Sequence, residues 1–286
     1  MTTPSALASP RVPASAYFGV SAIFHYLGPA LAVLLFAEVD VLGVAWLRIA
    51  GAAVVFAVWR RPWRLVRRLT PAGRRLLLAL GVVLAAMNTT FYLAIARLPL
   101  ATVGAIEFLG TIALAAIGVR NGRNAIALVL AIGGVVALTD VRLAGERLGF
   151  VFAFVNCALF MLYVILGHRI ANTGAGVDQL GAAMLIAAVV ATPFCLGVAA
   201  PAFTDPVALL AGVGVGICSS VIPYVTDQLA MARLRRATFA LMLSILPAVA
   251  TVIGIVVLTQ IPTLRELAGI ALIIGGVAIH QENKEK

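Results

Sequence analysis

The stretch LAIARLPLAT (residues 93–102) recurs as LAMARLRRAT (residues 229–238), 136 positions later. The copies share Leu, Ala, Ala, Arg, Leu, Ala and Thr in register. Two further pairs keep nearly the same offset. DVLGVAWLRIA (residues 40–50) matches DQLGAAMLIAA (residues 178–188) at Asp, Leu, Gly, Ala, Leu and Ala, and LAIGGV (residues 130–135) resembles LIIGGV (residues 272–277). Three matches in one order point to a duplicated chain, not to the general likeness of Ala/Leu/Gly helices.

The surroundings of the repeat set its solvent. Of 286 residues, 63% are hydrophobic and 11% charged, with a mean hydropathy of +1.09. A soluble domain is about half apolar and about a quarter charged. The apolar runs are long and continuous, which excludes the alternating pattern of a membrane β-barrel and predicts an all-α membrane protein. Ten spans are predicted, at residues 15–37, 41–59, 76–96, 99–118, 124–140, 148–167, 179–199, 206–231, 237–258 and 266–281. Residues 1–14, rich in Ser, Pro and Ala, are expected to form a disordered arm. The run after them is too long for a signal-peptide core.

Orientation follows from Arg and Lys in the connections. With the N-terminus inside, sixteen basic residues fall in inner segments, among them the RRPWRLVRR run at residues 60–68, and four fall outside. Both termini are therefore expected in the cytoplasm, which agrees with an even number of spans. Each repeat (residues 15–140 and 148–281, with a cytoplasmic tail at 282–286) then holds five spans, an odd number. The second half enters the membrane inverted, an organisation that places a substrate site between the halves near the midplane. Kinks or breaks are expected at Gly28 and Pro29, Pro193, Pro223 and Pro247.

Ionisable groups within spans are costly and point to function. Away from helix ends the chain offers His25, Arg48, Glu107 and Asp227. Glu107 is the single charge in LATVGAIEFLGTIALAAIGV (residues 100–119). Asn88 and Tyr92 share a helix face, and a turn near Pro99 brings Asn88 and Glu107 to depths that agree within about 5 Å. Glu107 could hold a substrate ammonium or carry a proton; alternatively, as a protonated carboxyl, it donates a hydrogen bond to a neighbouring helix. Its repeat counterpart is Leu243, so the acid is not required by both halves alike.

Asp227, one turn after Pro223 and Tyr224, is either a transport residue or an inner-vestibule charge answering Arg233 or Arg235. His25 is a relay or substrate contact, or a neutral imidazole bonded to a broken-helix carbonyl. For Arg48 the preferred reading is a structural ion pair with an acidic side chain, the other being contact with a substrate carboxylate. Asn156, Tyr163 and Ser244 complete the candidate substrate-binding or proton-coupling set.

Several classes recede. Cys157, Cys195 and Cys218 stand alone in apolar runs, so no metal, disulfide or cofactor is expected. The glycines at 212, 214 and 216 and the pairs 133–134 and 275–276 lack a phosphate-loop context and predict close helix packing. The basic loop at 60–68 suits anionic lipid, not nucleic acid.

At this point the chain resembles a known family. GVVLAAMNTTFYLAIARLPLATVGAIEFLG (residues 81–110) and SSVIPYVTDQLAMARLRRATFALMLSILPAVA (residues 219–250) resemble the drug/metabolite transporter superfamily, EamA type. They are similar to bacterial inner-membrane threonine/homoserine exporters, which show M-N-x-x-F-Y-L, then L-E-F-x-G-P, and in the second half a Pro-Tyr followed by an acidic residue. The resemblance covers residues 15 to 281. Thr111 replaces the Pro of the first motif, Leu246 replaces a Glu before Pro247, and TQIPT (residues 259–263) replaces a Gly-Glu.

The resemblance implies a monomeric or homodimeric secondary transporter in the bacterial inner membrane. It would export small metabolites, with amino acids as leading substrates and protons as a candidate coupling ion. An integral membrane enzyme acting on lipids would need a clustered Asp or His set that the sequence lacks. A non-transporting scaffold would not need polar groups at the midplane.

Overall fold

The computed structural model describes residues 13–67, 69–118, 122–139, 146–171, 175–234 and 246–279. Every regular element among them is a helix. The long helices are α1 (Ala14–Leu35), α2 (Val41–Arg60), α4 (Pro71–Ile95), α5 (Leu100–Gly118), α6 (Gly122–Thr139), α7 (Arg147–Ala171) and α8 (Gly176–Ala199). A four-residue helix, α3 (Trp63–Val66), follows α2. After a 3-10 turn come α9 (Pro206–Gly216), a π turn (Ile217–Val221) and α10 (Ile222–Met231) as one rod, then α11 (Leu246–Leu258) and α12 (Leu264–Ile279). Among the described residues six helices are long and apolar enough to cross a membrane, and two further apolar helices are shorter. This is a multi-pass, all-helical membrane protein.

Local chemistry sets the helix ends. Asp40 caps α2 by accepting from the Leu42 amide at 2.8 Å, and Arg61 stops it in the left-handed region with φ 49°. Thr70 caps α4 with Pro71 behind it, which starts the helix five residues earlier than expected. Asp205 and Pro206 do the same for α9. The α4–α5 connection is braced from afar: the Gln260 side chain accepts from the Leu100 amide at 3.0 Å.

Packing brings α2 against α8 and α9, α4 against α7 and α8, and α1 against α10, the π turn and α11. Helix α5 lies on α7 and α11, and α6 packs along α12. Apolar side chains such as Val58, Val189, Phe194 and Leu210 are exposed, as lipid contact requires. Gly216 lets α9 reach α2: a Cβ there would stand 2.7 Å from the Arg48 carbonyl oxygen. Of the other glycines expected to pack, Gly212 and Gly134 do so, whereas Gly133, Gly214 and Gly275 face open space. The three cysteines are free.

The expected helix breaks need correction. Helix α1 runs unbroken through Pro29, and α8 runs through Pro193. Gly28 serves packing instead, because a Cβ there would stand 2.6 Å from the Ser219 backbone nitrogen. Near Pro223 the irregularity is real but lies upstream, as the π turn. Proline cannot donate to the carbonyl four residues before it, which here is that of Ser219. Pro247 is helical in α11, and the residues before Leu246, where its break was expected, lie outside the described ones. The first part of the ninth span, with Ser244 and Leu243, the N-terminal arm, the tail and Arg235 lie outside the described residues.

Candidate functional site

Six helices converge on one small cavity. His25 comes from α1, Arg48 from α2, Met87, Asn88 and Phe91 from α4, Glu107 from α5, Asn156 from α7 and Tyr224 from α10. The cavity measures about 10 Å3, room for about one water. All of its ionisable groups are buried: His25 is 8%, Arg48 4% and Glu107 2% exposed.

Glu107 holds the acidic side. Its carboxylate accepts from the Tyr26 hydroxyl at 3.2 Å and from Asn156 Nδ2 at 3.0 Å, and His25 Nε2 lies 3.8 Å away. Gly104, one turn earlier on the same face of α5, leaves room for Tyr26: a Cβ there would meet the phenol oxygen at 2.9 Å. The His25 ring packs edge-on against Tyr26 and Phe160. Asn156 is fully buried and its Oδ1 has no donor.

Arg48 holds the basic side. Its Nε donates to Ser220 Oγ at 2.8 Å, and its Nη2 donates to the Ser219 carbonyl at 2.7 Å and to the Tyr224 hydroxyl at 3.3 Å. The Ser219 carbonyl is the one that Pro223 cannot serve. The guanidinium also lies over the rings of Tyr92, at 5.2 Å, and Tyr224, at 6.0 Å. Among the described residues no carboxylate comes within 4 Å of Arg48, and nothing accepts from its Nη1. The structural ion pair expected for Arg48 is therefore not formed. Its donors go to neutral oxygens, and its charge is left facing the cavity.

The remaining candidates sort by position. Asn88 and Glu107 line the same cavity, but they do not bond to each other. Asn88 donates to its own helix at Leu84 and accepts from Tyr224 at 3.2 Å. Tyr92 is buried beneath Arg48. Thr89 and Thr90 return their hydroxyls to α4 carbonyls. Asp227 is not a vestibule charge: it is 4% exposed and accepts from Ser21 and from the Tyr163 hydroxyl at 3.5 Å. Arg233 instead lies over the Tyr17 ring at 4.7 Å. His25 lies on an intact helix and faces Glu107, so it does not answer a broken-helix carbonyl. Residue-level reading missed Tyr26 and Ser21. The available signal was that Ser21 and His25, four apart on α1, form one polar face in an otherwise apolar helix.

The EamA-like transporter family matches residues 147–280. The threonine/homoserine exporter RhtA of Escherichia coli (strain K12) is 31% identical over 271 residues, covering 91% of this chain and 90% of that protein. The RhtA of Salmonella typhimurium (strain LT2) is 32% identical over 254 residues, covering 86% and 84%. A solved crystal structure is similar with a TM-score of 0.63 at 20% identity, spanning 93% of this chain and 96% of the other. That last likeness concerns the fold alone.

Proposed function

The chain belongs to the EamA-like transporter family, and from that premise we propose that it exports threonine- or homoserine-like amino acids, or related small metabolites, across the bacterial inner membrane. As a transporter it is not an enzyme. The observation that carries the proposal is the cavity, in which polar groups from six helices, including buried charges of both signs, meet inside an apolar bundle. Such groups persist within a bilayer where a substrate or ion passes. The relatives named above are threonine/homoserine exporters.

The proposal includes ten spans in two inverted halves, residues 15–140 and 148–281, with both termini in the cytoplasm. Beside the sequence repeat and the arginine distribution, the packing supports it. The contact of α4 with α7 is mirrored by that of α1 with α10, α4 on α8 by α9 on α2, and α5 on α7 by α11 on α1. Helices α2 with α8, α5 with α11, and α6 with α12 pack directly as mates. Two halves that make the same contacts with exchanged partners can trade shapes, which opens a central site to one side and then to the other.

For energy coupling we propose protons, with Asp227 as the carrier. It is buried outside the cavity lining, it is bonded by two hydroxyls, and among the described residues no cationic nitrogen lies within 4 Å of it. The experiment is flux in proteoliposomes loaded with labelled threonine or homoserine, with and without a proton gradient. Flux accelerated by the gradient is expected. Asp227→Asn should lose uphill export while keeping exchange of internal for external substrate. Absence of flux for every amino acid and metabolite tried would end the export reading.

A further inference from the structure

The opposed charges of the cavity have different polar surroundings. On the acidic side stand a carboxylate, Glu107, and an acceptor without a donor, Asn156 Oδ1. On the basic side stands a buried guanidinium whose present partners are all neutral oxygens. A buried cation without a counter-charge is costly, and the natural acid to relieve it, Glu107, faces the same cavity without reaching it. The basic wall is thus left without a counter-ion, and the acidic wall has only the His25 imidazole, 3.8 Å from Glu107, beside an acceptor that nothing fills. One small molecule carrying an anion and a cation a few bonds apart would satisfy them together.

We propose that the cavity is a clamp for a free α-amino acid zwitterion: Arg48 receives the α-carboxylate, and Glu107 with Asn156 Oδ1 receives the α-ammonium. This rests on the export reading and adds the orientation of the substrate and the residue at each end. The carboxylate takes Nη1 of Arg48 and displaces the Tyr224 hydroxyl from Nη2, replacing a neutral acceptor 3.3 Å away with a charge-assisted, forked contact. Tyr224 keeps Asn88 as a partner. The ammonium finds acceptors on α5 and α7, with the Tyr26 hydroxyl already bracing Glu107 from behind. The space described holds about one water, so the clamp closes on a substrate only after these helices part. The side chain of the amino acid is left to the apolar wall of Met87 and Phe91.

The test uses the purified full-length protein and three probes: L-threonine, its methyl ester, which lacks the carboxylate, and N-acetyl-L-threonine, which lacks the ammonium. Binding is read by calorimetry. Wild type should bind threonine at least about tenfold more tightly than either derivative, the loss expected for one charged contact. In Glu107→Gln the preference over N-acetylthreonine should disappear while the preference over the ester remains. In Arg48→Gln the reverse should hold, with Arg48→Lys restoring part of the ester discrimination. Wild type that binds ester or N-acetyl derivative as well as threonine overturns the clamp without any variant. So does discrimination that ignores the matching substitution. The same preparation is assayed for threonine and homoserine export: export without end-group discrimination sinks the clamp alone, whereas neither binding nor export of a free amino acid sinks the export reading with it.

Discussion

Helix α2 carries two arginines twelve positions apart whose surroundings differ. Arg60, at the half-exposed end, has a carboxylate: its Nε pairs with Asp178 of α8, and the neighbouring Trp59 ring stacks under it at 5.3 Å. Arg48, buried in the bundle, has none. If charges in this protein were placed for stability, the arrangement would be reversed, since an exposed pair contributes about 0–1 kcal/mol, whereas a buried unpaired ion is destabilising. The acid is supplied where it matters little and withheld where it matters most. Arg48 is held by neutral oxygens of Ser219, Ser220 and Tyr224, which fix its position and leave its charge unneutralised, as a residue that receives an anion requires.

Three substitutions press on that contrast. The largest effect is expected at Arg48. Arg48→Gln should reduce export at least about a hundredfold, the equivalent of a lost charged, forked contact, yet leave Tm within about 4 °C because an uncompensated ion goes with it. Flux in proteoliposomes and a melting curve of the same preparation measure both. A protein that unfolds instead would make Arg48 a structural residue and collapse the contrast with Arg60.

An intermediate effect is expected where α1 meets the π turn that Arg48 holds. Gly28→Ala places a methyl against the Ser219 backbone and should cost about 1–3 kcal/mol through overpacking, seen as a lower Tm, with export impaired through the displaced Ser219 and Ser220. Unchanged stability would mean that the contact is loose. The smallest effect belongs to Arg60. Asp178→Asn should shift stability by less than about 1 kcal/mol, increasingly little as salt is raised, with export at the wild-type rate. A large loss of export would make the edge pair part of the transport cycle.

Much of this was legible before any coordinates. Membrane residence and the apolar segments follow from composition and run length, because hydrocarbon admits only closed backbone hydrogen bonding. Glu107 stood out as the one charge in its span, and Asn88, Asn156, Tyr224 and His25 do meet it around one cavity. Rotation was harder to read. Away from its terminal Arg60, helix α2 is apolar on every side but for Arg48, so its sequence has no polar stripe to say which neighbour that arginine faces. The expectation of an ion pair was reasonable and failed for want of that angle. Tyr26 was missed for a similar reason, since a tyrosine in an apolar helix reads as packing until its hydroxyl is placed. Prolines at positions 29 and 193 misled because neighbouring helices can absorb a missing amide donor without a break.

The Ser219 carbonyl, which has Pro223 at the position of its α-helical donor, accepts from the Arg48 guanidinium at 2.7 Å. A ligand carboxylate that pulls the guanidinium toward the cavity strains that contact, by up to about 1–3 kcal/mol if it is lost, and the rod formed by α9 and α10 keeps it by changing its bend. Occupancy of the cavity and curvature of that rod are then two coordinates of a single equilibrium. A mutation that straightens the rod shifts affinity, and a tighter ligand shifts the rod, by the same free energy.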